Sequence, residues 1–228
     1  TISANWMCAS DEETELSKLY YMVKTIGLDI CPKLGINIPV GKDSMSMKTV
    51  WRNEENTGFY ETISPTTLIS TGTSKVKDIR KTLTPHLKKQ KGTILLLIDL
   101  GLSKNRLGGS TLEQVTKTSL GETPDIDKIE SLIELFNVMK SLRTQNLILA
   151  YHDRSDGGLF TSIAEMAFGG RAGVSLEIPK SFSMTPFLLN EEIGVVIQVE
   201  RDKLKDITKI LNSQNILRNH FYIIGEVH

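Results

Sequence analysis

The chain has 228 residues, 39% hydrophobic and 24% charged, enough for one large domain or two small ones and unlike a disordered, collagenous or disulfide-knotted polypeptide. Lysine plus arginine number 27 and aspartate plus glutamate number 27, so no basic excess draws a nucleic-acid backbone and no acidic tail is present. The longest apolar run, Ile94 to Ile98, falls far short of the roughly 20 residues of a membrane span, and no secretory signal pattern opens the chain. Neither nucleic acid nor membrane is an expected partner. Cys8 and Cys31 are too few for a disulfide framework and read as buried thiols of a reducing, cytoplasmic compartment. The sequence begins at Thr1 and runs straight into Ile2 and Trp6, so it is expected to be a piece of something longer.

In chain order, Ser10 with Glu13 has the form of a capping box, predicting a helix that carries Leu16, Leu19, Tyr20, Val23 and Ile26 on one face and stops at Gly27. The acidic run Asp11 to Glu15 reads as its solvated first turn. Ile36 to Trp51 alternates like one strand, with Lys42, Ser44, Ser46 and Lys48 on a single face. Asn53 to Gly58 reads as a turn, Thr62 to Thr71 as another extended piece, and a domain boundary is expected near residues 58–66. Beyond it, Thr93 to Asp99 reads as a buried strand and Ser110 as the cap of a helix running to about Leu120. Pro124 is expected to open a longer helix whose apolar face includes Ile129, Leu132, Leu135 and Leu142. A strand at 147–151, a helix at 159–168 closed by Gly169 and Gly170, and a strand at 174–178 follow. The chain is expected to finish with a strand at 195–199, a helix at 202–211 and a strand at 220–227. Strands and helices interleave, so the class is α/β or α+β.

Two segments carry candidate chemistry. Gly41-Lys42-Asp43-Ser44 fails as a phosphate-binding P-loop, because Gly35 stands too far from Gly41, Asp43 follows the lysine and a strand pattern comes next. It leaves a lysine and two serines, Lys42, Ser44 and Ser46, on one strand face, donors for a phosphorylated ligand or simply an exposed polar edge. In Tyr151-His152-Asp153-Arg154-Ser155-Asp156-Gly157-Gly158-Leu159 an apolar strand ends in a Gly-rich turn that opens a helix, a geometry that suits an anion. Gly157 and Gly158 would present backbone amides, and Asp153 and Asp156 would add hard oxygen ligands for magnesium. His152 reads as a hydrogen-bonded strand-end histidine, and a nucleophilic triad of adjacent residues is rejected for want of convergence. Asn190-Glu191-Glu192 reads as the cap of a turn, with a carboxylate in a cleft as the alternative.

Five segments taken together are distinctive: SANWM at Ser3 to Met7, IPVGKDSMSMKT at Ile38 to Thr49, HDRSDGGL at His152 to Leu159, AEMAFGG at Ala164 to Gly170 and NEEIGVVIQV at Asn190 to Val199. In this order they closely resemble the phosphoribosylformylglycinamidine synthase family, the large glutamine-dependent enzymes of purine biosynthesis. The resemblance implies ATP-dependent amidation of formylglycinamide ribonucleotide, with a separate glutaminase domain supplying ammonia. It also implies the end of a ferredoxin-like domain over residues 1–63, followed over 64–228 by an α/β domain like the C-terminal part of aminoimidazole ribonucleotide synthetase. By the same resemblance Asp153 matches a magnesium ligand and Ser155 a nucleotide contact, with ATP or ADP and magnesium as cofactors. Lys42, Asp43, Ser44 and Ser46 match a signature strand facing the substrate and nucleotide clefts. The family's other magnesium ligands, its glycine-rich nucleotide loop and its glutaminase nucleophile have no match in this sequence, and neither cysteine corresponds to that nucleophile. The remaining synthase and glutaminase domains are therefore the expected partners, and the chain is expected to make no product alone.

Overall fold

The computed structural model describes residues 1–55 and 57–228 and divides into two compact units, Thr1–Lys77 and Asp78–His228. In the first unit β1 (Ile2–Met7) is the central strand of three. A helical stretch follows, comprising α1 (Glu13–Thr25), a π-helical turn at Ile26–Ile30 and α2 (Cys31–Leu34), and it returns the chain as β2 (Val40–Ser44), parallel to β1. The capping box does not form: Ser10 is still held in extended pairing, its N–H donating to Met45 O at 2.9 Å, and the cap position falls on Glu12 with no side-chain cap bond. Gly27 does not stop the helix, which passes through the π turn and ends at Gly35, whose φ of 64° is left-handed. Leu16, Tyr20 and Val23 of the anticipated apolar face remain exposed.

The single strand expected over residues 36–51 is two. β2 pairs with β1, whereas β3 (Lys48–Arg52) leaves that sheet for a hairpin with β4 (Phe59–Ile63). The Asn53 side chain accepts from the Thr57 and Gly58 amides in the intervening turn, of which Asn56 lies outside the described residues. β5 (Thr67–Gly72) runs antiparallel to β1, so the unit boundary lies past it, at Lys77, and not at the expected 58–66. A strand hydrogen-bonded to β1 cannot belong to the following domain.

The acidic run is not merely solvated. Glu12 pairs with Lys48 at 2.7 Å, and Glu15, only 7% exposed, accepts from the Lys18 ammonium and from both the hydroxyl and the amide of Thr66. Lys18, then the Thr66 hydroxyl and amide, hold the Glu15 carboxyl down to about 2 from an ordinary 4.5. A depressed carboxyl stabilises the fold where it is ionised in both states, and that contribution disappears as pH falls through the folded value. Between about pH 4.5 and 2 the first unit should therefore loosen progressively. Trp6 and Trp51, both in that unit, provide the fluorescence readout, and Glu15→Gln should flatten this part of the acid profile. A variant profile superimposable on the native one would refute the assignment.

The second unit is a five-stranded sheet, all of its pairings antiparallel, sandwiched between helices. Its elements are β6 (Thr93–Asp99), α3 (Thr111–Thr116), α4 (Glu130–Thr144), β7 (Ala150–Asp153), α5 (Gly158–Gly170), β8 (Val174–Leu176), α6 (Met184–Leu189), β9 (Gly194–Glu200), α7 (Leu204–Asn212) and β10 (Phe221–Val227), in sheet order β7-β9-β6-β10-β8. With an antiparallel sheet, the class is α+β. β6 is apolar on both faces because both are covered. Ile94, Leu96 and Ile98 join Val195, Ile197 and Val199 of β9 beneath α4 and α7, while Leu95, Leu97 and Val196 meet Leu159, Ile163, Met166 and Phe187 of α5 and α6. Each such fully buried side chain contributes roughly 1.5–3 kcal/mol relative to exposure.

Ser110 caps α3 as expected, but Lys117, left-handed at φ 53°, ends the helix before Leu120. Pro124 lies ahead of α4 without opening it. Gly169 and Gly170 lie inside the last turn of α5, which Arg171 closes at φ 51°. They are glycines because His86 and Leu87 press there: a Cβ on Gly170 would stand 2.5 Å from the Leu87 carbonyl oxygen. Cys8 and Cys31 are free and buried. Among the described residues no helix is long and apolar enough to cross a membrane.

Candidate functional site

One end of the second unit's sheet gathers the segments singled out above. β6 ends there at Asp99, β7 at Asp153, and β9 begins there at Gly194. Side chains alternate across a strand, so the order Tyr-His-Asp-Arg sends consecutive residues to opposite faces. Tyr151 and Asp153 share one face, where the Tyr151 hydroxyl donates to Asp153 Oδ1. Burial, and then the Asp153 carboxylate, raise the Tyr151 pKa, so the phenol stays a donor. His152 turns the other way, its Nε2 2.8 Å from Glu165 Oε2 of α5 and its Nδ1 2.6 Å from the Asp153 carbonyl oxygen, as expected of a strand-end histidine.

Arg154 points inward and is 6% exposed. Its Nε donates to the Glu192 carbonyl, and its Nη2 to Asp99 Oδ1 at 2.5 Å and to the Ile193 carbonyl at 3.1 Å. Asp99 also accepts the Gly101 and Ser103 amides, and so holds a loop in which Leu102, Ser103 and Asn105 all take positive φ. Next to it, Arg106 grips the fully buried Glu192 through two nitrogens, Nε to Oε1 at 2.6 Å and Nη2 to Oε2 at 2.8 Å. Hydrogen bonding to Glu192 raises the Arg106 pKa further above its already high value. Glu191 Oε1 accepts the amides of Thr111 at 2.8 Å and Gly157 at 2.7 Å, tying the start of α3 to the turn before α5. The Asn190 to Glu192 segment therefore does cap a turn, but Glu192 is an interior carboxylate and not a solvated one.

Of the residues expected to bind phosphate or magnesium, Ser155 and Asp153 are exposed, whereas Gly158 is buried. The Gly157 amide already donates to Glu191 and the Gly158 amide to the Ser155 carbonyl at 2.9 Å. Gly158, at φ 72°, lies against the backbone of α6: its Cβ would meet Asn190 O at 2.6 Å. Packing, and not the approach of a phosphate, explains this glycine. Asp156 is exposed. Among the described residues no three His, Cys, Asp or Glu side chains converge on a metal position. Asp153 and Asp156 are both exposed carboxylates of this turn, and among the described residues neither belongs to a cage of metal ligands.

The other candidate cluster belongs to the first unit. Asn5 and Lys42 are register partners on β1 and β2; Lys42 Nζ donates to Ser44 Oγ at 2.9 Å, which donates to Asn5 Oδ1 at 3.3 Å. Asn5 and Lys42 border a cavity of about 280 Å³ that Ser3, Val40, Ile69 and Thr71 also line. Ser46 is exposed past the end of β2, and Asp43 is exposed on it. Lys48 does not join them, since Glu12, Glu61 and Asp11 hold its ammonium. Sequence reasoning missed Asp99 and Arg106, although a carboxylate ending an otherwise apolar strand was a usable signal.

The model of the FGAR-AT PurM_N-like domain matches residues 1–75, and that of the C-terminal domain of AIR synthase related proteins matches residues 90–228. Among solved structures, Thermotoga maritima PurL complexed with ATP superposes with a TM-score of 0.63 at 11% identity, covering 99% of this chain and 33% of that one. E. coli HypE, a hydrogenase maturation protein, gives 0.58 at 18% identity over 99% of this chain and 66% of that one. A chain of a HypE–HypF complex gives 0.60 at 16% identity, with coverage of 100% and 70%. At these identities the likeness is one of fold, and this chain spans a third of the PurL structure and about two thirds of HypE.

Proposed function

The chain belongs to the AIR synthase related family, and from that premise we propose that it is a segment of a phosphoribosylformylglycinamidine synthase, an ATP-dependent carbon–nitrogen ligase of cytoplasmic purine biosynthesis. The observation that carries this reading is the tandem arrangement of the two family matches, an FGAR-AT PurM_N-like domain over residues 1–75 followed by the synthetase C-terminal domain over residues 90–228. The overall reaction converts formylglycinamide ribonucleotide, glutamine and ATP to formylglycinamidine ribonucleotide, glutamate, ADP and phosphate. The remaining synthase and glutaminase domains would be its partners, in the same or another chain.

Within that reading Asp153 and Ser155 face the nucleotide phosphates, the first as a magnesium ligand and the second as a hydroxyl donor. Magnesium, when bound, would neutralise phosphate charge. Arg154 takes no direct part, since its charge is buried against Asp99. Lys42, Ser44 and Ser46 offer donors for a phosphorylated substrate in the first unit. Gly157 could add its amide only if Glu191 gave it up.

Calorimetric titration of the chain with ADP and magnesium tests the site. Asp153→Ala should weaken binding by about tenfold or more, the loss of about 1.4 kcal/mol or more of charge-assisted interaction. Equal affinity in the native and variant chains would remove Asp153 from the site. A second reading, a nucleotide held only to lock domains together, is favoured by the lack, among the described residues, of a cluster of three metal ligands and by glycine amides already satisfied inside the protein. It predicts that ADP survives gel filtration and that Asp153→Ala lowers stability without lowering turnover of the assembled enzyme.

A further inference from the structure

Arg154 is the inward-pointing residue between the two outward ones that the proposed nucleotide site uses. Its backbone N–H donates to the Gly194 carbonyl at 2.8 Å, and its guanidinium reaches Asp99 and the carbonyls of Glu192 and Ile193. The surrounding backbone accommodates it closely: a Cβ on Gly194 would stand 3.1 Å from Nη2 and 3.2 Å from Cζ. Nη1 is nevertheless buried with no hydrogen-bond partner. An unpaired buried N–H carries a desolvation cost, and a buried ion pair is on balance a poor source of stability compared with apolar side chains of the same shape. Stability alone therefore does not account for the group.

What the guanidinium does secure is direction. It crosses from the end of β7 to the end of β6 and the start of β9, joining three segments by side-chain bonds. Asp99, its partner, is itself held by the Gly101 and Ser103 amides, so the anchor cannot drift. With Arg154 pinned inward, Asp153 at the end of β7 faces away from it, and Ser155, just past the strand, is exposed as Asp153 is. Ser155 is further fixed where its N–H donates to Ser162 Oγ at 3.3 Å and its own Oγ to the Asp153 carbonyl at 3.2 Å.

We propose that Arg154 is a positioning residue: its lock onto Asp99 and the carbonyls of Glu192 and Ile193 sets the conformation of the 153–158 turn, so that Asp153 and Ser155 face a bound nucleotide phosphate together. The inference rests on the nucleotide-site reading for what the turn binds, but not for how the turn is held.

The test uses Arg154→Met combined with Asp99→Asn. This pair removes both buried charges; Gly101 donates to Asp99 Oδ1 and Ser103 to Oδ2, so the single amide oxygen of the variant keeps one of these two bonds. Hydrogen exchange is read in the ligand-free chain, then ADP affinity with magnesium by calorimetry. The Ser155, Gly157 and Gly158 amides should exchange about tenfold faster while those of β6 and β9 keep their protection, and ADP should bind about tenfold more weakly. A general loss of structure would expose all of these amides alike. Unchanged protection at those three positions would overturn the proposal, as would native ADP affinity. If the double variant does not fold, Arg154→Lys serves instead, since it keeps the charge but not the fork, and the same selective loss is expected of it. Faster exchange at the turn in a variant of a chain that binds no ADP even in its native form would retain the positioning role and discard the nucleotide reading.

Discussion

Arg106→Met should destabilise the second unit by about 3–5 kcal/mol, the cost of stranding a buried charge. Glu192 is fully buried, and its carboxylate meets Arg106 through Nε, Nη2 and the backbone N–H. The variant leaves only the backbone donor. The carboxylate cannot swing out to find water, because its stem packs directly on Gly101: a Cβ placed there would stand 2.6 Å from both Glu192 Cβ and Cγ. Urea unfolding followed by circular dichroism measures the loss, and adding Glu192→Gln to Arg106→Met should recover much of it by removing the stranded charge. A loss below about 1 kcal/mol in the single variant would mean that Glu192 is solvated after all, and the pair would count as a surface ion pair.

The same pair shows why part of this molecule is readable from its sequence and part is not. The second unit's strands are legible because both faces of β6 and β9 are covered, and an unbroken apolar run has few other uses. The first unit is harder, since β2, β3, β4 and β5 are mostly exposed and their apolar pattern records no buried face. Its strand break at Met45 to Met47 depends on β3 pairing with β4, a choice that local alternation does not reveal. At the candidate site, the outward Asp153 and Ser155 follow from their residue types. The inward Arg154 was also within reach, because neighbours on a strand must face opposite ways. Its partner was not, since Asp99 lies 55 residues away in sequence. Glu191 and Glu192 look alike in sequence and differ only in what folds over them, two backbone amides for one and a half-buried arginine for the other.

Gly158→Ala should cost about 2–5 kcal/mol, combining the penalty of a left-handed non-glycine residue with that of overpacking. The obstacle is backbone on every side: the new methyl would lie 2.6 Å from Asn190 O, 2.7 Å from Leu189 C and 2.8 Å from Leu188 O. None of these atoms can rotate away, so either α6 or the start of α5 must move. Gly157 is the internal control, with a similar φ of 79° but a different neighbour. Its Cβ would meet Thr161 Oγ1 at 2.2 Å, which another rotamer can move, and Thr161 Cβ at 2.9 Å, which only a small shift of that helix turn can relieve, so Gly157→Ala should cost less than Gly158→Ala, about 1–3 kcal/mol. The comparison separates two explanations for a glycine pair at a helix start. Were the pair there to admit a phosphate, both alanines would weaken ADP binding and cost the ligand-free protein only a similar left-handed penalty at each position. Packing against α6 requires more at Gly158, a large loss of stability without any ligand, and a larger loss at Gly157 than at Gly158 would contradict it.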